Sequence, residues 1–301
     1  MSTTLRINYL NTLTRLGRRS LISTSALGYR YRISLGDNFS ENPFYKPSIN
    51  IGEILATAAW VIDKQKPVIF DIGAHCGFIA SQLAQLLKEN NPAIYSFEPV
   101  APTFSDLIQT IDELKLHEFI HPVPVALSNA NGFVKLNYSK KNSMLAQIIP
   151  TEDASNHRAG DEVYVASAQT MDEFCETISY PDVIKIDVEG WEVYVFEGAK
   201  KMMEASKNIA VGLCLEWNPQ AILQVGSSAK NLSVLLNDYR FFYLNDYEGQ
   251  LHPELEEIVD VNQVSHVCNL FAIHGIHPGV DVWKKNFVRL KTSFGIESLS
   301  S

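Results

Sequence analysis

Four acidic residues stand where apolar runs stop. Asp71 follows "VIF", Glu98 closes "IYSFE", Asp187 closes "VIKID" and Glu216 closes "GLCLE". A short apolar run of this kind reads as a buried strand, and the acid at its end lies at the rim of the sheet. One strand-end acid is ordinary. Four on one rim are hard to explain by packing, because a carboxylate near a core is costly unless it is paired or functional.

The stretch "VIFDIGAHCGFIASQLAQL" carries the first of them. Asp71 is followed by Gly73-Ala74-His75-Cys76-Gly77-Phe78, a D-x-G-x-x-x-G arrangement leading into a helical pattern. Such a turn lets backbone approach a ligand closely, and the helix behind it offers free N–H groups. It is not the G-x-G-x-x-G fingerprint of a dinucleotide site. A diphosphate pressed on this turn would meet the charge of Asp71, whereas an ammonium or sulfonium would be favoured. S-adenosylmethionine (SAM) has both cations and no pyrophosphate. The plain alternative is a strand–turn–helix corner with two glycines.

Glu98 lies 27 residues after Asp71 and is followed by Pro99. In a doubly wound sheet that strand end is beside the first, and a carboxylate there can accept both hydroxyls of a ribose. In "VIKIDVEGWE", Lys185, Asp187 and Glu189 alternate and share a face while the chain stays extended. Lys185 reads as a structural ion-pair partner. Asp187 is open between that role and chemistry. Glu192 suits a first helical turn. His75 is a polar loop residue that would serve as a base only if the ligand comes to it.

These acids need a scaffold. From residue 48 the pattern runs helix, strand, helix, strand, helix, strand, then an inserted strand "GFVKLNYS" belonging to an inserted hairpin pair and loop, then strands at "DVIKIDVEG" and "IAVGLCLEW" with helical segments behind them. "RFFYLND" and "HVCNLFAIH" supply the last two strands. That alternation predicts an α/β fold: a doubly wound, mostly parallel seven-stranded sheet with helices on both faces. Residues 1–47 read as an N-terminal cap contacting an acceptor, 48–280 as the main domain, 139–160 as a lid loop and 281–301 as a tail. Six arginines and no acid in the first 36 residues also fit a presequence or a surface anchor. Tyr29, Tyr31, Phe39, Phe44 and Tyr45 offer rings for a sugar to stack on, or for core packing.

Acids outnumber bases by 34 to 25, a net charge of −9, which argues against broad nucleic-acid binding. No apolar run reaches membrane-spanning length. Cys76, Cys175, Cys214 and Cys268 form no C-x-x-C pair and read as reduced thiols of a cytoplasmic protein. Nothing in the pattern indicates an oligomeric state.

Together, "VIFDIGAHCGF", "IYSFEPVAPTFSDL", "VALSNANGFVKL", "TMDEF", "VIKIDVEGWEVYVFEGA" and "LCLEWN" resemble the FkbM family of SAM-dependent methyltransferases. The resemblance spans residues 68–218, and "KIDVEGWE" is its most specific part. It implies a class I methyltransferase, Rossmann-like sheet with its last strand antiparallel, and O-methylation of a sugar, glycan or specialised-metabolite hydroxyl. It implies that Asp71, Gly73, Ala74, His75, Gly77 and Phe78 cradle the amino-acid end of SAM. Glu98 and Pro99 would hold the ribose, and Ala126, Leu127 and Ser128 would lie along the adenine. His75 and Cys76 stand where many members carry small or amide residues. Asn129 replaces the acid usual after "ALS".

Asp187, Glu189 and Glu216 are then the candidate catalytic groups, as general base. Mg²⁺ held by Asp187 and Glu216 is possible but not favoured, since no fixed-spacing metal motif is present. The alternatives are an NAD-linked Rossmann oxidoreductase or epimerase, which lacks its glycine fingerprint here, and a non-catalytic SAM-fold scaffold, which would not need the acidic rim.

Overall fold

The computed structural model describes residues 3–46, 49–139, 142–150, 162–206, 209–244, 255–275, 277 and 279–296. The chain opens with a helix, Thr3–Arg15, and a hairpin of β1 (Ser20–Thr24) and β2 (Arg30–Ser34). The helix Ile51–Val61 leads to β3 (Val68–Ile72), β4 (Ala93–Phe97) and β5 (Ile120–Val123). The helices Phe78–Leu86 and Ala101–Leu114 link these strands. The chain then builds a separate sheet from β6 (Ala126–Leu127), β7 (Gly132–Ser139), β8 (Asn142–Ile149) and β9 (Glu162–Gln169). It returns through β10 (Val183–Ile186), β11 (Gly212–Trp217), β12 (Tyr239–Tyr243), β13 (Glu257–Ile258) and β14 (Cys268–His274).

The main sheet has the order β13-β12-β14-β11-β10-β3-β4-β5. The five strands from β11 to β5 are parallel, and β14 runs antiparallel between β11 and β12. This is the seven-stranded doubly wound sheet with an antiparallel last strand, extended by the two-residue edge strand β13. Its central strands are buried on both faces, which explains their unbroken apolar runs. The chain leaves β3 towards β4 and returns at β10 on the other side. The crevice between the carboxyl ends of β3, β4 and β10 is therefore the switch point where such sheets bind ligands.

Several elements differ from the sequence reading. The apolar run "FIHPVPVALS" is two strands, because Pro124 donates no ladder hydrogen bond; Pro122 is tolerated because β5 is an edge. "GFVKLNYS" belongs to a four-stranded sheet rather than a pair, in the order β6-β9-β7-β8. The 139–160 segment contains a strand, β8, over Asn142–Ile149; residues 140–141 and 151–160 lie outside the described ones.

The tail assigned to 281–301 is instead largely the helix Val280–Ser293. Val280, Trp283, Phe287 and Leu290 recur at helical spacing and are buried, and the Trp283 indole N–H donates to Ala56 O at 3.0 Å.

The hairpin packs on the helices Phe78–Leu86 and Ala101–Leu114. Buried Arg32 reaches Asp106 and Glu113, each at 3.0 Å, so this arginine serves an internal ion-pair network. Of the aromatic residues of this region Tyr31 is buried core, Tyr29 and Phe44 are half-buried against the core, and Tyr45 is half-buried. Tyr31 packs edge-on to Phe78, Tyr29 packs edge-on to Phe294, and Phe44 lies between Tyr9 and Tyr45. The Phe39 side chain lies outside the described ones.

Candidate active site

Register places the central charges. Lys185 of β10 is directly opposite Asp71 of β3, so the two side chains emerge on one face of the sheet. Lys185 Nζ lies 3.8 Å from Asp71 Oδ1, 3.6 Å from Asp187 Oδ2 and 3.4 Å from Gly73 O. Burial alone would lower the Lys185 pKa, but Asp187 and Asp71 outweigh it and hold the ammonium charged, above its ordinary value. Lys185 is thus the structural partner that its alternation with Asp187 suggested.

Asp71 is 1% exposed, and among the described residues neither carboxylate oxygen has a hydrogen bond. Burial pushes its pKa up against the pull of Lys185, so the group gains from any further cation. The turn behind it alternates positive φ at Gly73 (79°), His75 (51°) and Gly77 (81°). Gly73 and Ala74 N–H both donate to Phe97 O at 3.0 Å, pinning the turn to β4.

Glu98 is already engaged. His75 N–H donates to its Oε2 at 3.0 Å and Val100 N–H to its Oε1 at 2.8 Å. These fix the carboxylate while a second lone pair on each oxygen remains for a diol. Burial pushes its pKa up to about 7, against the two N–H bonds.

His75 is a link between three segments. Ser143 Oγ of β8 lies 2.6 Å from His75 Nε2 and donates to Asp37 Oδ2 at 2.7 Å. Since the Ser143 proton goes to Asp37, Nε2 of His75 is the donor in the short contact. Burial lowers the ring's pKa to about 4, so the imidazole is neutral and a poor base at neutral pH. His75 therefore positions the turn beneath β8.

On the other wall, β10 ends at Ile186 and the chain turns at Glu189, whose φ is 53°. Asp187 and Glu189 thus do not share an extended face. Glu189 O accepts from Gln147 Nε2 of β8 at 3.0 Å. Glu216 is pushed up to about 10, by burial first and then by Asp187, Glu189 and Glu192. Its charged form is disfavoured there, and Asn218 Nδ2 donates to its Oε2 at 3.4 Å.

One cleft, about 1040 Å³ including its open mouth, collects these groups. Asp71, Gly73, Ala74, His75, Phe78, Glu98, Pro99, Ala126, Leu127, Asp187, Glu189 and Glu216 all line it. Gly77 and Ser128 do not. Gly77 allows close helix packing, since a Cβ would stand 2.6 Å from Leu107. Ser128 accepts the Trp191 indole N–H at 3.1 Å. Asn50, Ser143, Ala146 and Trp191 line the cleft without having been read from sequence. They come from a loop, an inserted strand and a helix start with no shared period; only Trp191, inside the "KIDVEGWE" segment, carried a signal. Among the described residues no three His, Cys, Asp or Glu side chains group as metal ligands.

Glu192 is fully buried, with Oε1 accepting from Val188 N–H at 3.1 Å and Gly190 N–H at 3.4 Å, while Oε2 has no hydrogen bond among the described residues. Burial pushes its pKa from 4.5 to about 7. The folded state thus holds its proton more tightly than the unfolded chain. Its penalty is absent below about pH 4.5 and complete above about pH 7, where it reaches roughly 3 kcal/mol. Glu192→Gln should raise Tm at about pH 8 and leave it unchanged at about pH 4, as thermal melts at the two pH values would show.

A class I, Rossmann-like methyltransferase sheet with an acid-lined cleft at its switch point is the class this fold defines. The methyltransferase FkbM domain profile matches residues 71–243, and the chain belongs to that family. A curated relative, the hexuronic acid methyltransferase AglP of Haloferax volcanii, is 23% identical over 169 residues, covering 56% of this chain and 64% of that protein. Among solved structures, the FkbM methyltransferase of Methylobacillus flagellatus superposes with a TM-score of 0.44 and 11% identity, covering 79% of this chain and 52% of that one. A SAM-dependent O-methyltransferase of Thermotoga maritima gives a TM-score of 0.38 and 12% identity, covering 85% and 78%. The chain thus spans about half of the FkbM structure and under two thirds of the curated relative.

Proposed function

We propose that the chain transfers a methyl group from SAM to a hydroxyl of a sugar or similar small-molecule acceptor. The observation that carries this reading is Asp71, a buried carboxylate with two unbonded oxygens, facing a cleft at the switch point of a methyltransferase sheet. Lys185 stands 3.8 Å from it, and what the group lacks is a hydrogen-bond donor, which an ammonium would bring. The residues present fit SAM: Asp71 and the Gly73–His75 turn for its charged amino-acid end, Glu98 for the ribose diol. The apolar wall of Ala126, Leu127 and Trp191 suits adenine. Bound SAM supplies a methyl group on a cationic sulfur that departs as a neutral thioether.

The protein's own part is placement and proton removal. Bringing a hydroxyl into line supplies much of the acceleration. Asp187, at the cleft and fixed by Lys185, takes the hydroxyl proton as attack proceeds. Glu216, whose charged form burial disfavours, lines the same cleft and can hydrogen-bond the acceptor, with Glu189 beside it. A sugar hydroxyl is favoured by the hexuronic acid methyltransferase among the relatives. Four cysteines carried as free thiols go with a cytoplasmic setting. Incubation with methyl-labelled SAM and sugar acceptors, followed by NMR of the product, tests the reading. An O-linked methyl is expected; label on nitrogen or carbon would overturn it.

Glu98 makes the cofactor affinity pH-dependent. With its pKa at about 7 it must ionise to accept two hydroxyls well, so affinity should rise about tenfold from about pH 6 to about pH 8. Glu98→Gln should bind more weakly at pH 8 and lose the slope, measured by titration calorimetry at each pH.

A further inference from the structure

The arginines of the first 36 residues do not line the cleft. Arg32 is buried and paired, and the Arg6 guanidinium donates to Phe44 O. Arg15, Arg18 and Arg19 are different. They are exposed, and among the described residues none of the three has an ion pair or a side-chain hydrogen bond. Their grouping is local. Leu16 N–H donates to Thr12 O at 3.0 Å, so the helical course of Thr3–Arg15 runs on to Leu16. Gly17, at a φ of 78°, then reverses the chain, and Arg18 N–H returns to Leu13 O at 3.0 Å. Arg18 and Arg19 are thereby brought back to the end of the helix that carries Arg15. One cation there answers the helix dipole, and three exceed what the dipole needs. Glu113, which Ser20 reaches at 3.4 Å, is already held by Arg32.

The same helix exposes an apolar stripe. Leu5, Tyr9 and Leu16 recur at i, i+4 and i+11 and lie on one face. They are 56%, 44% and 74% exposed, whereas Leu10, on another face, is buried. A nucleic acid would engage the arginines and leave the leucines wet. A bilayer with anionic headgroups takes both, the leucines into its boundary and the arginines onto its phosphates.

We propose that the helix Thr3–Arg15 and the turn after it dock the protein on an anionic lipid bilayer, with Leu5 and Leu16 entering the headgroup boundary and Arg15, Arg18 and Arg19 meeting the lipid phosphates. The chain carries a net charge of −9, yet its first 36 residues hold no acid. This side therefore approaches an anionic surface while the rest is repelled, which orients the encounter. The docked helix is also tied to the cleft. Arg6 and Tyr9 both contact Phe44 of the helix Asn38–Tyr45. Asp37, just ahead of that helix, accepts from Ser143, a residue of the cleft wall. Docking thus sets the cleft in a fixed relation to the lipid surface.

The test is co-sedimentation of the full chain with vesicles of phosphatidylcholine alone and of phosphatidylcholine with about 30% phosphatidylglycerol. Binding to the anionic vesicles should exceed binding to the neutral ones by about tenfold or more, and should be largely lost at about 0.5 M salt. Arg15→Gln, Arg18→Gln and Arg19→Gln combined should lower it by about tenfold or more, with melting behaviour unchanged. Leu16→Ser should lower it by about threefold or more. Should the triple variant fold poorly, Leu16→Ser and the salt series are read the same way. Equal binding to both vesicle types, no binding to either, or binding unmoved in the variants would overturn the inference. Tighter binding of single-stranded RNA than of anionic vesicles would overturn it in favour of nucleic acid. Self-association of the full chain that Leu16→Ser abolishes, without vesicle binding, would overturn it in favour of a second copy.

Discussion

Gly73→Ala should remove measurable SAM binding. The turn at Gly73 passes so close to the end of β10 that a Cβ there would stand 1.9 Å from Asp187 O. The obstacle is backbone, which cannot rotate away as a side chain would. The position also has a φ of 79°, where any side chain adds strain. Strain and overpacking together are on the order of 3 kcal/mol. The loop can escape only by moving off β10, which parts Asp71, Lys185 and Asp187. A loss of about 100-fold or more in SAM affinity is expected, with a fall in Tm of several degrees. Calorimetry and a melting curve on the same sample check both. Affinity within about threefold of the parent would mean that the turn does not hold the cofactor.

Asp187→Asn has the second large expected effect, on turnover rather than on binding. Of Asp187, Glu189 and Glu216, Glu216 has its charged form disfavoured by burial and by the neighbouring acids, and Asp187 has a fixed position through Lys185. Removing a general base typically lowers kcat by 10²–10⁴-fold. SAM affinity should stay within about tenfold, since Asp71 and Glu98 keep their places. Glu216→Gln is the contrast. Glutamine resembles the protonated acid, so kcat should fall by less than about tenfold. Steady-state rates with matched calorimetry separate the two. A larger loss in Glu216→Gln than in Asp187→Asn would move the base to Glu216.

The strand-end acids were legible because they terminate runs whose period and length mark buried strands. Asp71, Glu98, Asp187 and Glu216 line one cleft because a doubly wound sheet brings the carboxyl ends of successive strands to one rim. Ser143 was not legible. It lies in a polar stretch that becomes β8 only by pairing with β7, so its contact with His75 depends on tertiary structure. Asn50 is a single left-handed residue ahead of a helix and leaves no pattern. The role of Gly73 was visible as a need for a tight turn. The identity of what it must pass, the Asp187 carbonyl, was not, because backbone contacts between non-adjacent segments leave no residue-type signal. The helix Val280–Ser293 is a different case. Its apolar residues at 280, 283, 287 and 290 are a complete helical stripe, readable once the segment is not assumed to be a tail.

The two halves of "WEVYVFEGAKKMM" show tertiary structure overriding local pattern. The segment behind "DVIKIDVEG" reads as helical, but the chain forms two short helices, Glu192–Glu197 and Lys200–Ala205, broken at Gly198. A Cβ at Gly198 would stand 2.0 Å from Ser128 O. The break lets β6, which carries two cleft-lining residues, run against this helix pair.

Calorimetric titration of the purified full chain with S-adenosylhomocysteine, SAM and NAD tests the central claim most directly. Saturable one-to-one binding of both sulfur nucleosides, with no heat from NAD, is predicted from the unbonded carboxylate of Asp71 and the absence of a pyrophosphate cradle. A folded protein that binds neither sulfur nucleoside, or that binds NAD in their place, would contradict it.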